Sequence, residues 1–247
     1  MVEEFFHLPN GRGNSLNPLS LEWFVPLASR YRLFAPDTVG HPGFSAETRV
    51  SAKDLSYGEW ALDVLDALGL EQPSIIGVSF GAGIVLRLAA LASECIRSAV
   101  LAVPSGIISP PVLPLARKIL MPMLAYKLRP TDERLYRTVK PIFTDEPHPL
   151  WLEVTKGSFD HLRLESSMPR PAKKEELEQF HAPTAVIAAE RDPFFPGAPV
   201  LERAGHILPH ARLELLQGEA HVLSDAGLSQ LLEVVEEMLQ PQPSEPG

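Results

Sequence analysis

One cysteine, Cys95, in 247 residues allows no disulfide within the chain and points to a reducing compartment. A basic surplus is also missing. With 22 Lys and Arg against 31 Asp and Glu the net charge is −9, which offers a phosphate backbone no counter-charge and excludes nucleic acid as the expected partner. No uncharged apolar run reaches the roughly 18–20 residues of a membrane span. The best candidate, Gly81 to Ala92, carries Arg87. The start, Met1-Val-Glu-Glu-Phe-Phe, is acidic where a secretory leader is basic, so a cytoplasmic location is expected. Neither a metal-ligand spacing nor a phosphate-binding glycine loop occurs, so the expected chemistry uses no metal and no cofactor.

What is present reads as a soluble globular chain: 45% hydrophobic and 21% charged, with length for one α/β domain plus a small insert, or for two small domains. Proline is abundant, 25 residues, and unevenly spread. Few prolines lie between Ser45 and Ser98, where regular structure is expected, and many between Pro104 and Pro183, where short helices and loops are. Tyr31-Arg-Leu-Phe-Ala reads as a short strand. Asp54 to Leu68 has apolar residues at helical spacing and stops at Gly69. Ser74 to Ser79 reads as a buried strand, Phe80 to Ala92 as a helix and Ser98 to Val103 as another strand. The alternation resumes with strand Thr184–Ala189, helix Val200–Leu208, strand Arg212–Leu216 and an amphipathic helix Asp225–Leu239. Such alternation implies right-handed crossovers and a mostly parallel, doubly wound α/β sheet. The core would be 1–104 and 182–240, interrupted by a helical insert over 105–181, and the tail 241–247 would be disordered.

Gly77-Val78-Ser79-Phe80-Gly81 is G-x-S-x-G at the end of a strand and the start of a small-residue helix. Glycines there permit a tight, strained turn that lifts the serine clear of the sheet, and the Phe80 amide then points where an oxyanion would develop. The plainer reading is a strand-to-helix turn with a capping serine. A serine hydroxyl needs a base. Of eight histidines, His148 and His161 fall in the insert, His206 and His210 in and after a helix, and His41 in a turn. His221 follows the last strand, in Gln217-Gly-Glu-Ala-His, where open α/β folds gather active residues. Asp192, after strand Thr184–Ala189, is the candidate acid. Glu190 is its rival, and an Asp-Pro is also an ordinary turn starter.

These residues resemble the α/β-hydrolase superfamily, nearest its carboxylesterase and lipase-like members, over about Ser15 to Leu239. The likeness rests on the Gly77–Gly81 elbow, Ala35-Pro-Asp-Thr-Val-Gly-His-Pro-Gly-Phe-Ser, Glu190-Arg-Asp-Pro and Gly218-Glu-Ala-His. It implies a Ser79–His221–Asp192 triad, an acyl-enzyme, a lid between two late sheet strands and a small-molecule ester substrate. Serine in the elbow argues against the dehalogenase and epoxide hydrolase branches, which place aspartate there. In the insert, Leu120, Met121 and Met123 would touch a lipophilic substrate or else pack the lid onto the body, and Phe194 would line a pocket or sit in the core. Other bonds remain open on the same triad: carbon–carbon hydrolysis, acyl transfer, or a binding protein that has lost catalysis.

The beginning of the chain departs from the pattern. Either Glu4–Leu8 is the family's third strand and Gly11 the second oxyanion donor, with two earlier strands missing, or the Leu8-Pro-Asn-Gly turn follows the first strand and the second and third are lost. The first placement is favoured. The usual His-Gly is replaced by Pro9-Asn10, and proline has no amide proton to give. A sheet lacking its outer strands would leave an unpaired edge, a template for a second copy. Association into homodimers is therefore expected in light scattering of dilute protein, and a stable monodisperse monomer would count against it.

Overall fold

A computed structural model of the chain describes the backbone of residues 4–8 and residues 23–41, 44–48, 50–161 and 168–240. Six parallel strands form one sheet in the order β2-β1-β3-β4-β5-β6: β1 (Glu4–Leu8), β2 (Arg32–Phe34), β3 (Ser74–Val78), β4 (Ser98–Ala102), β5 (Thr184–Ala189) and β6 (Arg212–Leu216). β1 pairs with β2 on one side, Phe5 opposite Leu33, and with β3 on the other, Phe6 opposite Ile75. The chain moves outward from β1 to β2, then crosses over β1 to build the sheet in the opposite direction. That reversal falls between β1 and β3, and open α/β sheets bind ligands at the carboxyl ends of the strands at such a point. An interior place for Glu4–Leu8, beside the strand leading to Ser79, is what the favoured placement requires.

Both sheet faces are buried, which is why β3 to β5 read as nearly unbroken apolar runs. Ile75, Ala99, Leu101, Val186 and Ala188 face one core with α1 (Ser56–Leu68), α2 (Phe80–Leu91) and α7 (Gly197–Ile207). Ile76, Val78, Val100, Ala102, Ala185 and Ile187 face the other, beneath α8 (Asp225–Leu239) and the 3₁₀ turn Val25–Ser29. Gly69 ends α1 with φ 67°, the left-handed cap its position suggested. α1 also lies very close to α2: a Cβ on Gly58 would stand 2.6 Å from the Arg87 carbonyl oxygen. No helix among the described residues is long and apolar enough to cross a membrane.

Between β4 and β5 the chain forms α3 (Val112–Leu115), a π turn (Ala116–Leu120), α4 (Met121–Leu128), α5 (Asp132–Val139) and α6 (Pro149–His161). These helices have their own small cluster, Tyr126, Leu135, Val139 and Phe159. The return segment behaves differently. Ala172, Leu177 and Phe180 join the main core, and the Ala172 amide donates to the Gly106 carbonyl at 2.7 Å.

The return segment also holds the main core's buried charge. Arg87, on α2, is 1% exposed, and its Nη1 lies 3.5 Å from Glu176 Oε2. Burial, and then the nearby Arg170, lower the Arg87 pKa, so Glu176 is needed to offset it. Arg170 binds Glu176 in a two-pronged pair, and its hydrogen bonds lead the effects that hold the Glu176 carboxyl down at about 2, against an ordinary 4.5. A carboxyl depressed on folding adds stability that is present above about pH 4.5 and lost as pH falls toward 2. Glu176→Gln should cost about 3 kcal/mol at pH 7 in urea unfolding, and the difference from wild type should fade between about pH 5 and pH 2.

Candidate active site

Ser79 stands between β3 and α2 with φ 52° and ψ −112°, a conformation that L-residues rarely adopt. The turn is that tight because α2 comes down onto the end of the strand: a Cβ on Gly77 would sit 2.6 Å from both Cα and N of Ala82. The strain is held by hydrogen bonds on both sides of the serine. Its amide donates to Ala102 O at 2.9 Å. Its carbonyl accepts from the Ala82 amide (3.1 Å), the Ser105 amide (3.1 Å) and Ser105 Oγ (3.0 Å). Ser105 is fully buried, and two positive-φ residues, Val103 (41°) and Gly106 (79°), carry the chain around it. Gly83 leaves room for it, since a Cβ there would meet Ser105 Oγ at 2.8 Å.

The three expected side chains meet. His221 Nε2 lies 2.9 Å from Ser79 Oγ, and His221 Nδ1 lies 2.6 Å from Asp192 Oδ2. Because all strands are parallel, the loops after β3, β5 and β6 open at one rim, so residues far apart in the chain converge there. Asp192 is almost fully buried, and its other oxygen accepts from the Phe194 amide (2.7 Å) and the Phe195 amide (3.1 Å). A carboxylate fixed in this way holds the imidazole with Nδ1–H toward the acid and the Nε2 lone pair toward the serine. Glu190 does not compete for the histidine. Its Oε2 accepts the Gly218 amide at 2.7 Å, while Arg191 Nε donates to the Gly218 carbonyl at 2.7 Å, so the pair grips the loop that carries His221.

The Phe80 amide opens α2, at an end where helix amides have no partner within the helix, and the Phe80 ring packs against Tyr57 with centroids 5.2 Å apart. Phe194 is half-buried, with its ring edge-on to the His221 ring at 5.1 Å. Leu120 and Met121 are exposed on the insertion. Met123 is half-buried and packs against the insertion's own cluster of Tyr126, Leu135, Val139 and Phe159. Gly11, the expected second oxyanion donor, lies outside the described residues, as do residues 9–10 and the tail 241–247. Cys95 ends a 3₁₀ turn and is partly buried. Among the described residues no group of three His, Cys, Asp or Glu side chains could hold a metal ion. Sequence reasoning missed Ser105, which carries no motif and lies at the edge of the expected insert. It also missed Glu219 and Thr144, whose partnership spans 75 positions of sequence.

Comparison with known proteins agrees with this fold. Residues 5–237 match the model of the alpha/beta hydrolase family. An uncharacterized carboxylesterase, nap, of Bacillus subtilis is 25% identical over 218 residues, covering 83% of this chain and 70% of that protein. The crystal structure of naproxen esterase from Bacillus subtilis superposes with a TM-score of 0.80 at 20% identity, covering 97% of this chain and 84% of that one. A meta-cleavage product hydrolase from Pseudomonas fluorescens IP01 does so with a TM-score of 0.74 at 20% identity, covering 96% and 90%.

Gly77→Ala should destabilise the protein by about 3 kcal/mol in urea unfolding, because the added methyl meets backbone that cannot retreat without unmaking the turn.

Proposed function

Since the chain belongs to the alpha/beta hydrolase family, we propose that it is a serine hydrolase cleaving small to medium, uncharged carboxylic esters through an acyl-enzyme. The observation that carries this reading is the unbroken hydrogen-bonded relay from Asp192 through His221 to Ser79. Ser79 Oγ attacks the ester carbonyl as His221 Nε2 takes its proton, and Asp192 holds the ring and stabilises its cation. The Phe80 amide receives the developing oxyanion, with Gly11 as the proposed second donor. His221 then returns the proton to the leaving alcohol. In the second half it takes a proton from water, whose oxygen attacks the acyl carbonyl, and gives that proton to Ser79 Oγ as the bond to the serine breaks, freeing the acid and the enzyme.

A lipophilic substrate is supported by the insertion. Among the described residues twelve large hydrophobic side chains are exposed, and six of them (Val112, Leu113, Leu120, Met121, Leu124 and Leu128) lie in one stretch that contains no acid. Together with Phe194 beside the imidazole they offer apolar contact to an acyl chain or an aromatic alcohol. The carboxylesterase relatives favour the ester bond. The likeness to a meta-cleavage product hydrolase favours a second reading, carbon–carbon bond hydrolysis on the same relay, and product analysis with esters against diketones separates the two. The reading also keeps the cytoplasm as the location and an edge-paired homodimer as the assembly.

A fluorophosphonate should label the wild type and fail to label Ser79→Ala, and ester turnover should fall in that variant by about four orders of magnitude. Intact fold without labelling of the wild type would leave a binding protein as the better description.

A further inference from the structure

His221 is flanked on both sides by anchors that lie outside the sheet. The Ala220 amide donates to Thr144 Oγ1 at 2.8 Å, the Val222 amide donates to Ile142 O at 2.8 Å, and Val222 O accepts the Thr144 amide at 3.0 Å. Residues 142–144 belong to the insertion, between α5 and α6, and Phe143 pairs with Val222 as a parallel bridge. Glu219 completes the arrangement. It is 7% exposed, and its carboxylate accepts Thr144 Oγ1 at 2.8 Å, the Ser224 amide at 2.8 Å and the Ser224 hydroxyl. The Thr144 hydroxyl has one proton, and the carboxylate at 2.8 Å is a stronger acceptor than Val222 O at 3.1 Å, so its lone pair is left for Ala220. Gly227, in the first turn of α8, is required by this packing, since a Cβ there would stand 2.5 Å from the carboxyl carbon.

We propose that Glu219 and Thr144 are positioning residues, a latch through which the seating of the insertion sets the place of His221. The inference rests on the serine-hydrolase reading. A buried carboxylate capping α8 with Ser224 would, by itself, contribute stability alone. The latch adds a link to Thr144, and through it to the peptide immediately before the imidazole. Loosening that peptide should misplace Nε2 relative to Ser79 Oγ, and a displacement near 1 Å costs about 100-fold in rate.

Thr144→Val keeps the shape and removes both the donor to Glu219 and the acceptor for Ala220. It should lower kcat for a short soluble ester about 10- to 100-fold with KM nearly unchanged. It should also slow fluorophosphonate labelling equally and broaden the low-field proton resonance of the His221–Asp192 hydrogen bond. Thr144→Ser, which retains the hydroxyl, should restore all three, and Glu219→Gln should fall between. Tyr126→Phe, which removes the hydrogen bond from Tyr126 to Asp160 in the same insertion, is the control for general loosening and should lower Tm while leaving kcat in place. Wild-type kcat and resonance in a folded Thr144→Val overturn the latch, and so does an equal loss of kcat in Tyr126→Phe. Should Thr144→Val not fold, Glu219→Gln decides by the same readouts. The resonance reports His221 geometry whether or not the protein turns over esters. Failure of the hydrolase reading instead appears as a wild type that is not labelled.

Discussion

The close approach of α2 to the end of β3 is the constraint on which the rest of the site depends. Two backbones meet at Gly77 and Ala82 at a distance no side chain could share, and the residue between them is forced to φ 52°. A serine in that conformation stands at the carboxyl end of a central strand with its hydroxyl turned toward the loops of β5 and β6. Such strain persists only where the surroundings over-determine it. Here they do, with an amide bond to β4 and three donors on the serine carbonyl, two of them from Ser105.

Around that elbow the molecule divides its work by layer. The two apolar faces of a parallel sheet keep the strand ends in register, so that loops after β3, β5 and β6 open at one rim. Polar contacts among the loops then do what burial cannot, because the hydrophobic effect has no direction. Asp192 spends one oxygen on two amides and the other on the imidazole. Glu190 and Arg191 clasp the Gly218 peptide, and Glu219 meets the insertion. Asp192 and Glu190, rivals for one task in the sequence, have separate ones.

The insertion is more than a cover. Its helices are held by a small cluster of their own, while the chain leading back to β5 is part of the main core and carries Glu176 to the buried Arg87. Between those parts, residues 142–144 reach the histidine loop through main-chain hydrogen bonds. Under the proposed function, substrate contact and histidine placement would share one structural element. The proposed latch would tie how the insertion sits to how the base is aimed.

Local chemistry in the chain was enough to specify the strands β3 to β6, the helices α1, α2, α7 and α8, the left-handed Gly69 cap, and Ser79, Asp192 and His221 as side chains that meet, because apolar periodicity, glycine punctuation and the strand-to-helix serine are all short-range signals. The order of the strands was not local. Glu4–Leu8 has two plausible placements on paper, the family's third strand or its first, and pairing across the sheet sets it between β2 and β3. Likewise nothing near Met123 says that it belongs to the insertion's own cluster. Nothing near Ser105, Thr144 or Glu219 announces a partner, since a buried hydroxyl or carboxylate takes its meaning from whatever donors and acceptors folding brings within 3 Å. Periodicity can be read along a chain; satisfaction of buried polar groups is decided between distant parts of it.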